Sequence, residues 1–472
     1  MEDVHISPYA GSWYPGGRAE LDCLLAELFE HSRERTGPCA LRDPLAFVVP
    51  HAGLMYSGTV AAAAYRSLAE STPSRIVLLG FAHRGGPSSV AIPDVKRIAT
   101  PVGEVTVDRE TAAMLARELP FEMAPEQRLC DHSVEIQLPL LMKAAPGVPV
   151  LPLYVGPLHR DSREKAAHAL AALATTGTVF LASSDLTHYG ASFGYQPFPP
   201  DHSVRDRLRD LDYDVIDAAG SLEPELFLEH LSSTGSTVCG YEPISLLLAM
   251  LRLLGDGIYQ EALDYQTSAE ITGEAHHSVS YAALGYFRAP SFELEREDRQ
   301  LLLDSAHATL LNLLETGQRK PVPPAAVTPA LTRRAGAFVS LYEGVGLRGC
   351  VGRHSGCDPL AQAIPELTLS AALDDPRFMP LRAAQCRVAI QISVLTPLKR
   401  LRGTAGFVLG RHGAYLHCGP RRSLLLPQVT RLRDWTREDF FCALARKAGL
   451  PPDNWSRPDA RLSVFEAQVF GE

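Results

Sequence analysis

Four short segments, far apart in the chain, each set a metal-capable side chain beside a turn. They are Pro50-His51-Ala52-Gly53, Gly80-Phe81-Ala82-His83, Ser183-Ser184-Asp185-Leu186-Thr187-His188-Tyr189 and Val238-Cys239-Gly240. Three of the four follow an apolar run of the kind that forms a buried strand. Neutral imidazole ligates first-row transition metals well, and the softer thiolate favours Fe, Cu or Zn over Mg. His51, His83 and Cys239 would make a three-ligand set with positions open for substrate. Taken singly, a His at a strand end is more often a capping or core residue. Asp185 and His188 are three apart and face the same way if their turn is helical. His188 then acts as a general acid/base, with Asp185 as a ligand or orienting partner. The plainer reading has Ser183, Ser184 or Asp185 capping a following helix, which leaves His188 unexplained. Cys239 precedes a helix entered through Pro243, and a helix N-terminus lowers a thiol pKa. Its plainer reading is a buried, inert Cys.

Asp131-His132-Ser133-Val134-Glu135-Ile136 is a fifth candidate. Asp131 or Ser133 would cap a helix running through Leu140, with Glu135 in its first turn. Capping explains most of the segment. His132 stays a secondary candidate for the cleft, as do Glu135 and Tyr189. His31 and the pair His276-His277 lack comparable context and are expected at the surface.

The elements that must position these residues are short and regular. Leu45–Val49, Arg75–Gly80, Val148–Val155 and Thr178–Ala182 are apolar runs of strand length. Between them lie helix-like stretches at Gly58–Leu68 and Asp161–Ala174. Strands apolar throughout and interleaved with helices indicate a largely parallel sheet covered on both faces. The class is α/β with three layers. Helices over 203–219, 223–232 and 241–254 extend it, and Val279–Phe287 is expected as a closing strand. In such sheets ligands bind outside the carboxyl ends of strands, where His51 and His83 stand.

At 472 residues the chain exceeds what one core usually supports, so two domains are expected. The boundary falls at Pro290: residues 1–288, a linker 289–296, then 297–472. A Pro-rich passage, Pro321 to Pro329, leads into a second unit with strands expected at 337–342 and 386–395. A net charge of −9 argues against a nucleic-acid partner, despite local pairs at Arg333-Arg334 and Arg421-Arg422. No apolar stretch approaches the ~20 residues of a membrane span. The opening residues Met1 to His5 lack the form of a signal peptide, so the cytoplasm is expected. Nine scattered Cys without a CxxC pair fit reduced thiols rather than a disulfide framework or zinc ribbon.

Several of these segments carry a resemblance. Pro8-Tyr9-Ala10-Gly11-Ser12-Trp13-Tyr14-Pro15, Pro50 to Gly58, Thr100-Pro101-Val102-Gly103, His132-Ser133-Val134-Glu135, Ser183-Ser184-Asp185 with His188-Tyr189, and Cys239-Gly240 resemble the Memo family. That family is named for mediator of ErbB-driven motility, and its prokaryotic members are called AmmeMemoRadiSam system protein B. The resemblance covers residues 4 to 288. It implies a fold similar to the class III extradiol dioxygenases of the LigB type, which use non-haem iron. It also implies iron or copper held by two His and a Cys, matching His51, His83 and Cys239, and an acid/base His matching His188. Cys239 stands where the true dioxygenases have a carboxylate, so ring cleavage is not implied.

In the second unit, Leu347-Arg348-Gly349-Cys350-Val351-Gly352 reads as a tight turn whose small residues allow a ligand or backbone to come close. Cys350 is a candidate nucleophile and Arg348 a secondary candidate, but no base lies nearby in sequence. This segment, Asp375-Pro376-Arg377-Phe378, Ile392 to Pro397, Leu424 to Val429, and Lys447-Ala448-Gly449-Leu450 with Trp455 resemble the AMMECR family, AmmeMemoRadiSam system protein A. That match spans about 295 to 472 and implies a separate α+β domain. Both resemblances imply a radical S-adenosylmethionine protein as pathway partner.

The expected function is a mononuclear non-haem metal site acting on a small aromatic or phenolic substrate, by dioxygenase-like or by lyase or hydrolase chemistry. Fe(II) is the expected metal, with Cu or Zn as alternatives. The competing expectations are a metal- or phosphopeptide-binding adaptor without catalysis, and a metal-storage or redox protein.

Overall fold

The computed structural model describes residues 4–125, 129–274, 276–382, 388–432 and 434–471. The chain divides into two compact units, Met1–Gly37 with Arg42–Arg288, and Pro38–Leu41 with Ala289–Glu472.

In the first unit the strands run in the order His188–Gly190, His277–Arg288, Ala46–Val49, Thr178–Ser183, Arg75–Gly80, Val150–Val155, Val90–Pro93, Phe121–Ala124, with Ile258–Thr267 also paired to His277–Arg288. Four central strands, from Ala46–Val49 to Val150–Val155, are parallel. These are the apolar runs of the sequence, and Phe47, Val48, Val49, Val77, Leu78 and Leu181 are fully buried. Strands buried on both faces need helices on both faces. Leu54–Ser71 packs beside Arg18–Thr36 and Gln137–Ala144, while Tyr241–Leu253 packs beside Arg160–Ala172 and Pro224–Thr234. The class is three-layered α/β.

The flanks depart from the expected pattern. His277–Arg288 does not close the sheet; it lies inside it, antiparallel to Ala46–Val49, Ile258–Thr267 and His188–Gly190. Pro152 sits within a central strand, where a missing N–H normally breaks a ladder. It is tolerated because Val90–Pro93 pairs with this strand only at Tyr154 and Val155.

The arrangement places three carboxyl ends side by side. Val49 is opposite Ser183 and Leu79 opposite Ala182, so the chain leaves adjacent strands at the same level toward His51, Asp185 and His83.

The second unit is α+β, with two four-stranded antiparallel sheets. One runs Gly346–Arg353, Ala337–Glu343, Ala389–Leu395, Ala467–Gly471. The other runs Lys399–Arg400, Ala460–Phe465, Gly413–Cys418, Arg421–Leu425. Helices Arg296–Thr316 and Leu360–Leu373 cover the first, and Arg437–Lys447 the second. Residues 386 and 387, the expected start of the strand ending at Leu395, lie outside the described residues. The segment 347–352 is a strand rather than a turn. The reversal sits at Gly344, whose φ is +60°. Gly349 and Gly352 do allow the close approach expected of them: a Cβ on them would meet Ala371 O at 2.0 Å and the Phe338 ring at 2.3 Å.

Candidate metal centre

His51 follows the first central strand and is 2% exposed. Its Nδ1 lies 3.1 Å from Ser183 Oγ, at the end of the neighbouring strand. Ser183 is itself held: Gln137 Nε2 donates to Ser183 Oγ at 3.0 Å and to Pro50 O at 2.8 Å, and Tyr65 OH donates to Gln137 Oε1 at 2.8 Å. This buried chain fixes the ring and leaves Nε2 facing Cys239 Sγ at 3.2 Å.

His83 is the solvent-facing member, its side chain 32% exposed. Asp131 holds it twice, Oδ2 accepting from the His83 backbone N–H at 3.0 Å and Oδ1 meeting Nδ1 at 2.8 Å. Burial raises the Asp131 pKa, but hydrogen bonds from His83 and the Ser133 N–H, with the charge of His132, outweigh it and bring it down to about 2. A carboxylate accepts, so His83 Nδ1 carries the proton. Asp131 also caps His132–Glu135 through the Ser133 N–H at 2.9 Å, so the capping expected of it and the support of an imidazole come from one side chain. His132 enters the same space. Its ring stacks on His83 at 4.0 Å and on Trp13 at 4.1 Å, with Nδ1 3.3 Å from Asp131 Oδ1.

Among the described residues, two of the groups of donor atoms that close within 4.8 Å share His51. One is His51, His83, His132; the other is His51, Asp185, Cys239. Donors around a tetrahedral ion at about 2.0–2.3 Å stand roughly 3.3–3.8 Å apart, and the His51 Nε2–Cys239 Sγ distance of 3.2 Å is close to that spacing. His51, His83 and Cys239 as one set are not among the groups that close within this limit among the described residues. The donor chemistry fits a borderline or soft divalent ion. Burial, reinforced by His83, lowers the His51 pKa to about 3, and burial with His51 does the same for His132. Both imidazoles are therefore neutral near pH 7, the form that ligates.

No helix follows Ser183-Ser184-Asp185; the next element is the strand His188–Gly190, so the cap alternative does not apply. Asp185 Oδ1 instead accepts from the His51 and Ala52 N–H groups at 2.8 and 3.3 Å. Burial pushes its carboxyl upward, against the lowering effect of His188 and those two N–H groups. His188 Nδ1 lies 3.1 Å from both Leu186 O and Thr237 O. Carbonyls only accept, so Nδ1 carries a proton, and in the neutral ring Nε2 keeps the lone pair. Without a metal, the Cys239 thiol is pushed well above its ordinary value by burial and by Asp185. The helix N-terminus at Tyr241 does not overcome those two effects.

A cavity of about 450 Å³ opens onto His83 and Cys239, walled by Phe81, Val155, Pro157 and Tyr241 with Glu242 as its carboxylate. That is the size of a small-molecule site. His188 is not part of this lining. Tyr189 is fully buried, stacks on Phe198 and donates to Phe198 O at 2.8 Å, a packing role. Glu135 pairs with His5 at 3.0 Å. His277 is exposed, as expected.

Gly240 carries the register between Cys239 and this site. A Cβ there would stand 2.5 Å from Ser183 O and 2.6 Å from Ser184 Cβ. Gly240→Ala is expected to cost about 1–3 kcal/mol and to weaken metal binding by displacing Cys239. Thermal unfolding together with a metal titration checks it; a variant unchanged in both would refute the account of this contact.

In the second unit, Cys350 N–H donates to Asp375 Oδ2 at 2.8 Å, and Arg377 makes a two-point pair with the same carboxylate. Ser340 Oγ donates to Cys350 Sγ at 3.3 Å, and Arg348 donates to Met379 O at 2.7 Å. A cavity of about 650 Å³ between Arg319, Arg353 and Glu366 is lined by neither Cys350 nor Arg348.

Comparison with known proteins adds the following. Residues 7–285 match the family described as Memo-like protein, and residues 303–470 match AMMECR1. A Methanopyrus kandleri protein is 39% identical over 191 residues, covering 38% of this chain and 91% of that protein. A MEMO1 family protein of Sulfolobus acidocaldarius is 31% identical over 300 residues, covering 60% of this chain and 99% of the relative. The memo-1 homolog of Caenorhabditis elegans is 27% identical over 300 residues, covering 61% and 84%. A solved structure of an uncharacterized Pyrococcus horikoshii protein is 32% identical, covers 38% of this chain and 93% of its own, and has a TM-score of 0.36.

Proposed function

This chain belongs to the Memo family, followed in the same polypeptide by an AMMECR1 domain, and from that premise we propose that its first unit is a mononuclear non-haem metal enzyme for a small phenolic or aromatic substrate. The observation that carries the reading is the way the imidazoles are held. His51, His83, His132 and His188 each engage a fixed partner through Nδ1, namely Ser183, Asp131, Asp131 again, and two carbonyls. Asp131 and the two carbonyls only accept, so they fix the Nδ1 proton of His83 and His188 and leave Nε2 as the donor atom of the neutral ring. A core histidine satisfied for packing alone has no need of three neighbours held the same way.

His51 is the ligand shared by both donor groups in this reading, with His83 a ligand in one and Cys239 in the other, and His132 and Asp185 completing them. Iron(II) suits a mixed imidazole, thiolate and carboxylate set, and copper or zinc are the alternatives. When bound, the metal supplies Lewis acidity toward a substrate oxygen. His188 Nε2, unprotonated while Nδ1–H is held by Leu186 O and Thr237 O, accepts the proton of a substrate hydroxyl. Phe81 and Tyr241 present ring surfaces to a planar substrate entering beside His83. The AMMECR1 unit delivers substrate or receives product, and a radical S-adenosylmethionine protein is the partner. What supports that last step is the presence of both domains in one chain.

The chain purified under reducing conditions and supplied with metal should hold Fe, Cu or Zn stoichiometrically. His188→Gln should lower turnover of a phenol or catechol found as substrate by about 10²–10⁴-fold at unchanged metal content. A chain that holds no metal, or a His188→Gln variant of undiminished activity, overturns the corresponding part.

A further inference from the structure

The first unit holds a second cluster of donors that shares no residue with the groups around His51. His5, Cys130 and Glu135 offer a nitrogen, a sulfur and an oxygen within 4.8 Å of one another. Glu135 is fully buried. Its Oε1 lies 3.0 Å from His5 Nε2, while Oε2 has no hydrogen-bond partner among the described residues. A buried carboxylate oxygen without a partner is costly. An ion pair with His5 satisfies one oxygen and leaves the other, so the pair alone does not account for the cluster. A cation between the three side chains does.

Each ligand is placed by a fixed element. His5 lies on Val4–Ile6, a strand paired parallel to Arg97–Thr100 with His5 opposite Ile98. Glu135 ends the short helix that Asp131 caps. Cys130 immediately precedes that cap; Tyr9 OH donates to its carbonyl at 3.5 Å and the Asp131 N–H donates to Tyr154 OH at 3.2 Å. We infer that His5, Cys130 and Glu135 form a second metal site, for a divalent ion of the zinc or iron(II) class. Imidazole, thiolate and carboxylate together select those ions over Mg²⁺ or Ca²⁺, and three protein ligands leave a fourth position for water. Loading displaces the thiol proton of Cys130 to solvent. The site braces the loop that presents Asp131 and His132 to the first centre.

Cobalt(II) is the probe, added without oxygen to the full chain freed of metal. In Cys239→Ser, which removes the thiolate of the first centre, a thiolate-to-cobalt charge-transfer band should remain. It should vanish when Cys130→Ser is added, and His5→Ala in the Cys239→Ser background should weaken the titration by at least about 10-fold. Elemental analysis of the otherwise unaltered chain gives an independent reading, because Cys130→Ser alone should remove one equivalent of bound metal. A band absent in Cys239→Ser, a band surviving in the double variant, or metal content unchanged by Cys130→Ser would each overturn the assignment.

Discussion

His51→Ala is expected to weaken metal binding more than any other single substitution, by more than about 100-fold. The reason is topological. His51 is the one residue common to both donor groups, so its loss breaks the His83/His132 set and the Asp185/Cys239 set together. His83→Ala leaves His51, Asp185 and Cys239 within 4.8 Å, and Cys239→Ser leaves the three imidazoles. Each of those variants should retain a weakened site, with a smaller loss than His51→Ala. The His51 ring is also buried and tied to Ser183, so the variant loses packing as well. Folding must therefore be followed by circular dichroism beside a chelator-competition titration. Equal losses for His51→Ala, His83→Ala and Cys239→Ser would show that the site has one ligand set, not two groups joined at His51.

Much of the first unit was legible because its strands are continuous apolar runs, a signal that needs only local sequence. Ala46–Val49, Arg75–Gly80 and Thr178–Ser183 stand within a residue of expectation. Runs of that kind also told where His51, His83 and Asp185 would emerge. What stayed hidden is the support behind the imidazoles. Asp131 reaches His83 across 48 residues and Ser183 reaches His51 across 132, distances over which periodicity carries no information. Asp131 was legible only as a cap, and Gln137 showed nothing polar in its role because it sits in an apolar helix. At Ser183-Ser184-Asp185 only the plainer cap alternative fails, because the Asp185 carboxylate serves the N–H groups of His51 and Ala52. Short flanking strands such as Arg97–Thr100 and Gly103–Thr106 are too brief and too polar to stand out. In the second unit the close approach expected at Gly349 and Gly352 holds, but they lie in a strand, and which neighbours come close, Ala371 and Phe338, is a tertiary fact.

The same two buried imidazoles make the metal-free chain acid-labile. Burial holds the His51 and His132 pKa values at about 3, while the unfolded chain titrates near 6.5. A base whose folded pKa is depressed leaves the unfolded state to take up the proton first. Between about pH 6.5 and 3 the unfolded state therefore binds up to two more protons than the folded state, and stability falls as pH falls. The limiting slope for two protons is about 2.7 kcal/mol per pH unit. His132 keeps some solvent contact and the two rings influence each other, so about 1–2 kcal/mol per unit is the expected outcome. Asp131, held at about 2 despite the burial that raises it, adds to the loss only below the usual carboxylate range. Trp13 provides the readout. It is the sole tryptophan before residue 435 and it stacks on His132 at 4.1 Å. With Trp435→Phe and Trp455→Phe in place, urea unfolding followed by Trp13 fluorescence in chelator should give a midpoint that drops steadily from pH 7 to pH 5. His51→Asn should remove about half of the slope while lowering the plateau. Bound metal should steepen it, because protons then compete with the ion for the same nitrogens. A metal-free midpoint that is flat over this interval would mean the two rings are charged in the folded chain, and that the cluster is not a preformed ligand set.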